Sequence, residues 1–206
     1  CEDILKRVKV SKDKISVIYN GYNRISELPI QGIKEDYMIA VTSNLPHKNA
    51  EGIIRAYERY CSKTDKPLKL RIIGIADVAQ YHLSQDVGNN IICYKYIESN
   101  EEMHHMIAAA KIFLFLSLVE GFGFPPIEAM QLGTPVVCSG VSSLPEVVGG
   151  AAILVDPCEP DEVAEALVKL QNDENKQQEL IAKGYHNIER FSWDKTANKY
   201  ADIVMK

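Results

Sequence analysis

The chain has 206 residues, of which 46% are hydrophobic and 25% are charged, a balance typical of a globular protein. Its formal net charge is −5 and it has no run of Lys or Arg, so the broad basic face of a nucleic-acid-binding protein is not expected. Five scattered cysteines with no CxxC pair argue against a zinc site and a disulfide framework. Because the first residue is Cys rather than Met, we expect a longer polypeptide of which this is a part.

The first 36 residues are predicted to lead into the main domain. The segment ISVIY at positions 15–19 predicts a strand, and Asn20 and Gly21 after it predict a turn. Residues 24–36 are mostly polar and contain Pro29 and Gly32, which indicates a linker. We therefore expect the main domain to occupy residues 37–206.

From residue 37 onward, strand-like and helix-like segments alternate. Apolar runs predict strands over residues 37–41, 68–75, 90–94, 112–117, 135–139 and 151–155. Helical spacing of apolar residues predicts helices over residues 49–63, 77–86, 99–111, 125–133, 160–172, 174–191 and 192–206. The run over 112–117 is apolar on both faces, as in a central parallel strand. The predicted fold is α/β, a doubly wound, Rossmann-like parallel sheet followed by C-terminal helices.

A glycine-rich turn with two carboxylates follows the predicted central strand. Residues 120–130 read EGFGFPPIEAM, so Glu120 leaves the end of a buried strand, where a charge needs a partner or water. Glu128 is predicted in the first turn of a helix that begins at Pro125 or Pro126. On these residues alone, Glu128 can serve the helix dipole, the pair can be the two carboxylates of glycoside hydrolysis, or both can hold a ligand.

The turn after the first predicted strand is a second candidate site. It reads TSNLPHKN over residues 42–49 and places Lys48 beside the start of a helix, an arrangement that can hold phosphate. An ordinary solvated lysine is the alternative. Neither a GxGxxG nor a P-loop pattern occurs there, which argues against a dinucleotide oxidoreductase. Ligands of open α/β sheets lie at the carboxyl ends of the strands, so Lys48 and the 120–130 turn are expected on the same side.

The order and spacing of these segments resemble the retaining glycosyltransferases of the GT-B fold, specifically family 4 (group 1). Seven residues separate Glu120 and Glu128 inside SLVEGFGFPPIEAMQLGTPVVCS. The segments ISVIYNGYN and LPHKN resemble the interdomain crossover and the phosphate turn of that family, and GGAAILVDPCEPDEVAEAL and RFSW resemble its closing segments. The resemblance covers nearly the whole chain. It implies the C-terminal half of a GT-B fold, with residues 1–23 as the end of the N-terminal domain and the crossover.

The resemblance implies a site for a nucleoside-diphosphate sugar, the donor of a hexose, with mannose- or rhamnose-like sugars favoured. Glu120 would hold the donor sugar, Lys48 would neutralise the diphosphate, and Glu128 would bind the ribose. The backbone of the turn would face the sugar and phosphate, and the loop after the third strand would face the base; these further substrate-binding residues are Gly121, Phe122, Gly123, Tyr96 and Ile97. No metal or other cofactor is expected, because members of this fold act without one and the chain has no DxD pattern.

The expected partners are the nucleotide-sugar donor and a glycan or lipid-linked acceptor, which an N-terminal domain would bind. The resemblance also implies polysaccharide biosynthesis, a cytoplasmic location, and peripheral membrane association of the full-length protein. Without an acceptor domain, this chain alone is expected to transfer no sugar. Many relatives have Gly and Arg where this chain has Thr42 and Ser43, and Arg where it has His47. Two alternatives stay open: a non-catalytic nucleotide-sugar binding module, and another GT-B enzyme such as a nucleotide-sugar epimerase.

Overall fold

A computed structural model describes residues 2–26 and 34–205, with backbone only for residues 2–4. The chain divides into two compact units, one of residues Cys1–Arg24 with Glu189–Lys206 and one of residues Ile25–Ile188. Of the predicted linker, residues 27–33, with Pro29 and Gly32, lie outside the described residues. The domain boundaries near residues 23 and 36 stay a prediction.

Helices and strands alternate along the described chain. The helices are α1 (Glu2–Arg7), α2 (Ala50–Ser62), α3 (Gln85–Asn89), α4 (Asn100–Ala109), α5 (Phe124–Gln131), α6 (Leu144–Val148), α7 (Pro160–Gln171), α8 (Glu174–Asn187) and α9 (Trp193–Val204). The strands are β1 (Glu35–Val41), β2 (Lys69–Ile73), β3 (Ile91–Tyr94), β4 (Ala110–Phe115), β5 (Val136–Ser139) and β6 (Ala152–Val155). Short 3₁₀ turns occur at Lys12–Lys14, Pro46–Lys48, Ala79–Tyr81 and Ile188–Arg190.

The larger unit is built on a single described sheet of six strands in the order β3-β2-β1-β4-β5-β6. Every strand pair in it is parallel, and in register Tyr37 of β1 lies opposite Lys69 of β2 while Ile39 lies opposite Phe113 of β4. From the centre of the sheet, β1, β2 and β3 follow one another toward one edge, and β4, β5 and β6 follow one another toward the other. This order is that of a Rossmann-like sheet and confirms the predicted doubly wound α/β fold.

The two faces of the sheet carry separate apolar layers. On one face, Met38 of β1 and Leu114 of β4 pack with Tyr57 of α2 and Leu167 of α7, all of them fully buried. On the other face, the hydroxyl of Tyr37 donates to the backbone oxygen of Met106 in α4 at 2.5 Å. Alternate residues of β1 thus reach opposite layers, and β4 beside it is buried along nearly its whole length, which confirms the two-sided burial predicted for residues 112–117.

Two predicted elements are wrong. Residues 77–86 do not form one helix, because His82 adopts a left-handed conformation (φ 51°) that ends the 3₁₀ turn Ala79–Tyr81 before α3 begins at Gln85. Residues 15–19 do not form a strand, since a strand needs a ladder partner and the described ladders join only β1 to β6.

In the smaller unit, residues 19–21 pack along α9. The hydroxyl of Thr196 donates to the backbone oxygen of Tyr19 at 2.8 Å, and the ring of Tyr19 meets that of Phe191 edge to face at 5.7 Å. A Cβ atom added to Gly21 would lie 2.4 Å from the indole of Trp193, so only glycine fits there. Phe191 is buried whereas Trp193 is 52% exposed, so Phe191 is the aromatic anchor of this unit.

Lys34 is a partly buried lysine at the C-terminal end of α4. Its ammonium donates to the backbone oxygen of Ala108 at 2.6 Å and to the hydroxyl of Thr134 at 3.0 Å, and no described carboxylate pairs with it. Burial lowers the pKa of Lys34 from 10.5 to about 8. Between these pH values the unfolded chain binds more protons than the folded chain.

We therefore expect Lys34 to contribute a rise in the free energy of unfolding with pH from about 8 to about 10, because the cost of burying the charged amine disappears over that range. The partly or fully buried thiols of Cys61, Cys93 and Cys138, whose pKa values burial raises, act in the opposite direction, so the contribution of Lys34 is the difference between the wild type and Lys34→Met. Urea unfolding across this range measures that difference, and Lys66→Met, at an exposed lysine, should behave as the wild type does. A slope that Lys34→Met leaves unchanged would show that another group causes it.

Candidate functional site

The candidate site lies where the sheet reverses its winding, beyond the carboxyl ends of β1 and β4. These two strands are neighbours, yet β1 leads to β2 on one side and β4 leads to β5 on the other. Crevices at such points are where open α/β sheets bind ligands. Lys48 ends the 3₁₀ turn that follows β1, and Glu120 lies five residues after the end of β4.

Lys48 and Glu120 form an ion pair at this point. The Lys48 ammonium is 2.7 Å from Glu120 Oε1, and the two side chains are 27% and 13% exposed. The ammonium also lies 5.9 Å from the centre of the Phe115 ring, at the last residue of β4. Two residues that are 72 positions apart are thus brought together, and each relieves the desolvation of the other's charge.

The backbone of the turn that carries Lys48 is held at both ends. The hydroxyl of Thr42 donates to the backbone oxygen of Lys48 at 2.8 Å. The backbone N–H of Leu118, beyond β4, donates to the backbone oxygen of His47 at 2.7 Å. The residues that follow two neighbouring strands, β1 and β4, therefore fix the position of Lys48.

Asn49 joins three parts of this edge of the sheet, although the sequence indicates only that a helix starts there. It adopts a left-handed conformation (φ 54°, ψ 45°), and its side-chain oxygen accepts from the backbone N–H of Gly52 at 3.2 Å. Its side-chain nitrogen donates to the backbone oxygens of Leu116 at 3.0 Å and Pro157 at 3.1 Å. It is therefore a positioning residue that fixes the start of α2, and with it Lys48, against β4.

Two serines that sequence reasoning missed hold the turn that carries Glu120. Ser142 Oγ accepts from the backbone N–H of Glu120 at 3.1 Å and donates to its backbone oxygen at 2.9 Å. Ser143 Oγ lies 2.9 Å from the backbone oxygen of Glu120 and 3.0 Å from that of Phe122. Both serines follow β5, so the loop beyond a third strand shapes the site.

The glycines of the turn have different surroundings. Gly123 has φ 99°, and a Cβ atom there would lie 2.5 Å from a methyl carbon of Leu144. Gly121 is exposed and faces open space, which leaves its backbone accessible to a ligand. Phe122 is nearly buried, with its ring centre 4.9 Å from that of Phe124.

Glu128 lies deeper in its helix than the sequence predicts. Helix α5 begins at Phe124, with Pro125 and Pro126 inside its first turn, so Glu128 is the fifth helical residue and no acidic residue lies in the first turn. A carboxylate beyond the first turn gains little from the helix dipole, which makes that interpretation wrong. Burial raises the pKa of Glu128, and no described residue forms a hydrogen bond or ion pair with its carboxylate. Its oxygens are free to accept hydrogen bonds from a ligand.

Tyr96 and Ile97 lie at the same edge of the sheet but two strands away. They follow β3, the edge strand, which β2 separates from β1. No described hydrogen bond, ion pair or ring contact joins either residue to Lys48 or Glu120. Tyr96 is 76% exposed and Ile97 is partly buried. The structure therefore does not bring them into contact with the ion pair.

The described part of the chain contains neither a cluster of metal ligands nor a membrane-spanning helix. No group of three or more His, Cys, Asp or Glu side chains there could hold a metal ion. None of the described helices is both long enough and apolar enough to cross a bilayer.

Comparison with known proteins places this chain in a family. Residues 25–187 match the family model described as glycosyl transferases group 1. The match covers most of the chain, and it contains Lys48, Glu120 and Glu128. The chain therefore belongs to the group 1 glycosyl transferases.

Curated relatives include mannosyltransferases. The chain is 32% identical over 174 residues to O-antigen chain mannosyltransferase B of Escherichia coli, covering 81% of this chain and 46% of that protein. It is 31% identical over 210 residues to the MMP alpha-(1->4)-mannosyltransferase of Mycolicibacterium hassiacum, covering 99% of this chain and 51% of that protein. The chain thus spans about half the length of these relatives.

Solved structures share the fold. TarM superposes with a TM-score of 0.80 at 21% identity, over 98% of this chain and 41% of that one. Sucrose-phosphate synthase of Thermosynechococcus elongatus superposes with a TM-score of 0.76 at 21% identity, over 99% of this chain and 55% of that one. These likenesses confirm a Rossmann-like fold that matches GT-B structural neighbours.

Proposed function

We propose that this chain binds the nucleoside-diphosphate sugar of a retaining glycosyltransferase of family 4. The enzyme transfers a hexose, with mannose- or rhamnose-like sugars favoured, to a glycan or lipid-linked acceptor. The observation that carries the proposal is the Lys48–Glu120 ion pair at the point where the sheet reverses its winding. Membership of the group 1 glycosyl transferases and mannosyltransferase relatives support it.

In this proposal, the ion pair exchanges partners when the donor binds. The Lys48 ammonium turns from Glu120 to the diphosphate, and the Glu120 carboxylate becomes free to accept hydrogen bonds from the sugar hydroxyls. Cleavage of the sugar–phosphate bond builds negative charge on the diphosphate, and a positioned cation stabilises that charge. Contacts from Glu120 to the sugar lower the barrier to the extent that they strengthen in the transition state.

The other predicted residues contact the remaining parts of the donor in the same proposal. Glu128 accepts hydrogen bonds from the ribose hydroxyls, which is supported by its lack of a described protein partner. The backbone N–H groups of Gly121, Phe122 and Gly123 face the sugar and phosphate. Tyr96 and Ile97 lie beside the base in this proposal, which is supported by their place after β3, at the same edge of the sheet as the ion pair.

The proposals about the acceptor and the cellular role are based on the resemblance of the sequence motifs to the family. We propose that an N-terminal domain binds the acceptor, that this chain alone transfers no sugar, and that the enzyme serves polysaccharide biosynthesis in the cytoplasm. We also propose peripheral membrane association. Lys9, Lys12 and Lys14 lie in one short segment, and Tyr200 and Val204 of α9 are exposed, features that attract anionic lipid surfaces.

A non-catalytic nucleotide-sugar binding module is the second candidate function. The turn after β1 favours it, because Lys48 is the one lysine or arginine of residues 42–49. A turn with one such cation stabilises the departing diphosphate less than the turn of relatives that have further arginines. Incubation of a full-length protein with donor and acceptor separates the candidates, because only the transferase forms a glycosidic product.

We expect nucleotide binding without a divalent metal, since Lys48 supplies the positive charge at the diphosphate in this proposal. GDP, UDP and their sugars are titrated calorimetrically in EDTA and in Mg²⁺. Equal affinities in the two buffers are the expected result, with stabilisation of about 2.7 kcal/mol at 100 times the dissociation constant. Binding that disappears in EDTA and returns with Mg²⁺ would contradict the role given to Lys48.

A further inference from the structure

A small pocket of about 240 Å³ lies within the smaller unit, where residue 19 packs against α9. Its lining residues are Tyr19, Arg190, Lys195, Thr196, Asn198 and Lys199. The residues of the candidate donor site all belong to the larger unit. The pocket and the donor site therefore share no residue.

Three cations and no carboxylate line this pocket. The guanidinium carbon of Arg190 lies 5.6 Å from the centre of the Tyr19 ring, and the Lys199 ammonium lies 5.7 Å from the same centre. The Lys195 ammonium donates to the backbone oxygen of Glu189 at 2.5 Å. Like charges that line one pocket repel one another, so an anion that enters it removes an unfavourable interaction.

The two lysines keep their charges available to a ligand. Neither Lys195 nor Lys199 forms an ion pair with a described carboxylate, although Asp194 and Asp202 lie on the same helix. An ammonium has three N–H donors, and the contacts of these two lysines leave most of them unused. The side chain of Asn198 has no described hydrogen bond either, so its amide adds two further donors.

A phosphate group is the anion that this lining fits best. Its oxygens accept several hydrogen bonds at once from donors on different sides, and a guanidinium such as that of Arg190 binds two of them in a fork. The volume of the pocket is below the range of roughly 300–1,000 Å³ that is usual for small-molecule sites. A single phosphate head group therefore fits, whereas a whole sugar nucleotide does not.

Exposed apolar side chains continue from the pocket along α9. Lys195 and Lys199 are four residues apart and share a face of the helix, and Ile203 follows four residues later. Ile203 is 45% exposed and Val204 is 80% exposed. Cations beside exposed apolar residues on one helix are typical of helices that lie at the surface of an anionic membrane. This arrangement favours a lipid head group as the source of the phosphate.

We propose that this pocket binds the phosphate group of a phosphate ester, with an anionic lipid head group as the favoured source. The site deepens the proposed membrane association by assigning specific residues to it, and it rests on that association only in the choice of a lipid. Donor binding is independent of it, because Lys48, Glu120 and Glu128 lie outside the pocket.

The first test is a ¹⁵N NMR titration of this chain with inorganic phosphate and with pyrophosphate. We expect amide shifts at residues 190–199, with a dissociation constant on the order of 1–10 mM. Lys195→Gln and Lys199→Gln should each weaken binding by about 2–5-fold, the worth of an exposed ion pair. Lys12→Gln makes the same change of charge at an exposed lysine of the same unit, outside the pocket, and should keep the wild-type affinity.

The same spectra separate this proposal from the proposed function. Shifts at residues 47–49 and 120–123 report the donor site, whereas shifts at residues 190–199 report the pocket. Either set of shifts can therefore fail while the other appears.

The second test distinguishes a lipid from a soluble source of the phosphate. The chain is sedimented with phosphatidylcholine vesicles that contain or lack phosphatidylglycerol. We expect it to bind the vesicles with phosphatidylglycerol more tightly. The double variant Lys195→Gln/Lys199→Gln should weaken this binding by about 25-fold, or about 5-fold for each basic residue at the surface. Phosphate shifts in the pocket without a preference for phosphatidylglycerol would assign it to a soluble phosphate ester.

Two results would overturn the proposal. The first is the absence of shifts at residues 190–199 with both anions, together with vesicle binding that is equal in the wild type and the double variant. The second is a double variant that keeps a native spectrum and binds both anions as tightly as the wild type. Vesicle binding that the double variant loses supports a lipid occupant even where the free anions bind too weakly to shift the spectrum.

Discussion

Lys48→Met is expected to weaken binding of a nucleoside diphosphate by about 10–150-fold, the worth of a hydrogen bond to a charged group. The reason is that Lys48 is the one lysine or arginine of its turn, residues 42–49, and lies at the point where the sheet reverses its winding. The variant also leaves the Glu120 carboxylate, which is 13% exposed, without its partner and close to the incoming phosphate. Calorimetry with GDP and UDP measures the loss.

A companion variant separates the two members of the ion pair. Glu120→Gln removes the carboxylate that competes with phosphate for Lys48, so a bare nucleoside diphosphate should bind at least as tightly as it does to the wild type. A nucleotide sugar should bind more weakly relative to the diphosphate, because the sugar loses a charged acceptor. In Lys48→Met, the unpaired Glu120 carboxylate could itself repel the diphosphate. The double variant Lys48→Met/Glu120→Gln removes that charge and should still bind the diphosphate weakly.

Lys66→Met, at an exposed lysine, serves as the matched control for charge and should bind nucleotides normally. If Lys48→Met keeps wild-type affinity for both diphosphates, the lysine holds the turn together and does not bind phosphate. If Glu120→Gln weakens the bare diphosphate as much as the nucleotide sugar, Glu120 does not contact the sugar in the way proposed.

Gly74→Ala is expected to give the largest loss of stability, on the order of 3–5 kcal/mol. Gly74 follows β2 with φ 111°, and a Cβ atom there would lie 1.9 Å from the backbone oxygen of Thr42. Its N–H donates to the backbone oxygen of Tyr94 at 2.7 Å, so it joins the ends of β1, β2 and β3. Because the clashing atom belongs to the backbone, the strands themselves must separate.

Gly88→Ala is the matched control for this loss. Gly88 lies in α3 with no atom within 4 Å of the added Cβ, so alanine there should be neutral or stabilise by about 0.5–1 kcal/mol. Urea unfolding of both variants gives the two free energies. Equal free energies of unfolding for the two variants would contradict the close approach of β2 to β1.

The strands and most helices were predictable because their signals are local. Each strand of the sheet is a short apolar run, and each long helix carries apolar residues at helical spacing between turn residues. Ser99 caps α4 by accepting from the backbone N–H of Glu102, and a serine or asparagine before an acidic first turn is a local signal for such a cap. Lys48 and Glu120 were predictable on the same side of the sheet because each follows the carboxyl end of a predicted parallel strand, and the structure places them in contact.

The features that sequence reasoning missed depend on contacts between distant segments. Ser142 and Ser143 lie more than 20 positions from Glu120 and act through backbone atoms, so no local pattern marks them. Asn49 shows only a modest signal, an asparagine at a helix start, because its partners lie beyond β4 and β6. The depth of Glu128 in α5 depends on the left-handed Gly123, which lets the helix begin one residue before the prolines.

The most direct test of the donor site is a crystal structure of this chain with a nucleoside-diphosphate sugar. We predict the diphosphate within hydrogen-bonding distance of the Lys48 ammonium, the ribose hydroxyls on the Glu128 carboxylate, and the Glu120 carboxylate turned from Lys48 toward the sugar. A nucleotide sugar bound elsewhere, with the Lys48–Glu120 ion pair intact and Glu128 still without a partner, would contradict the account.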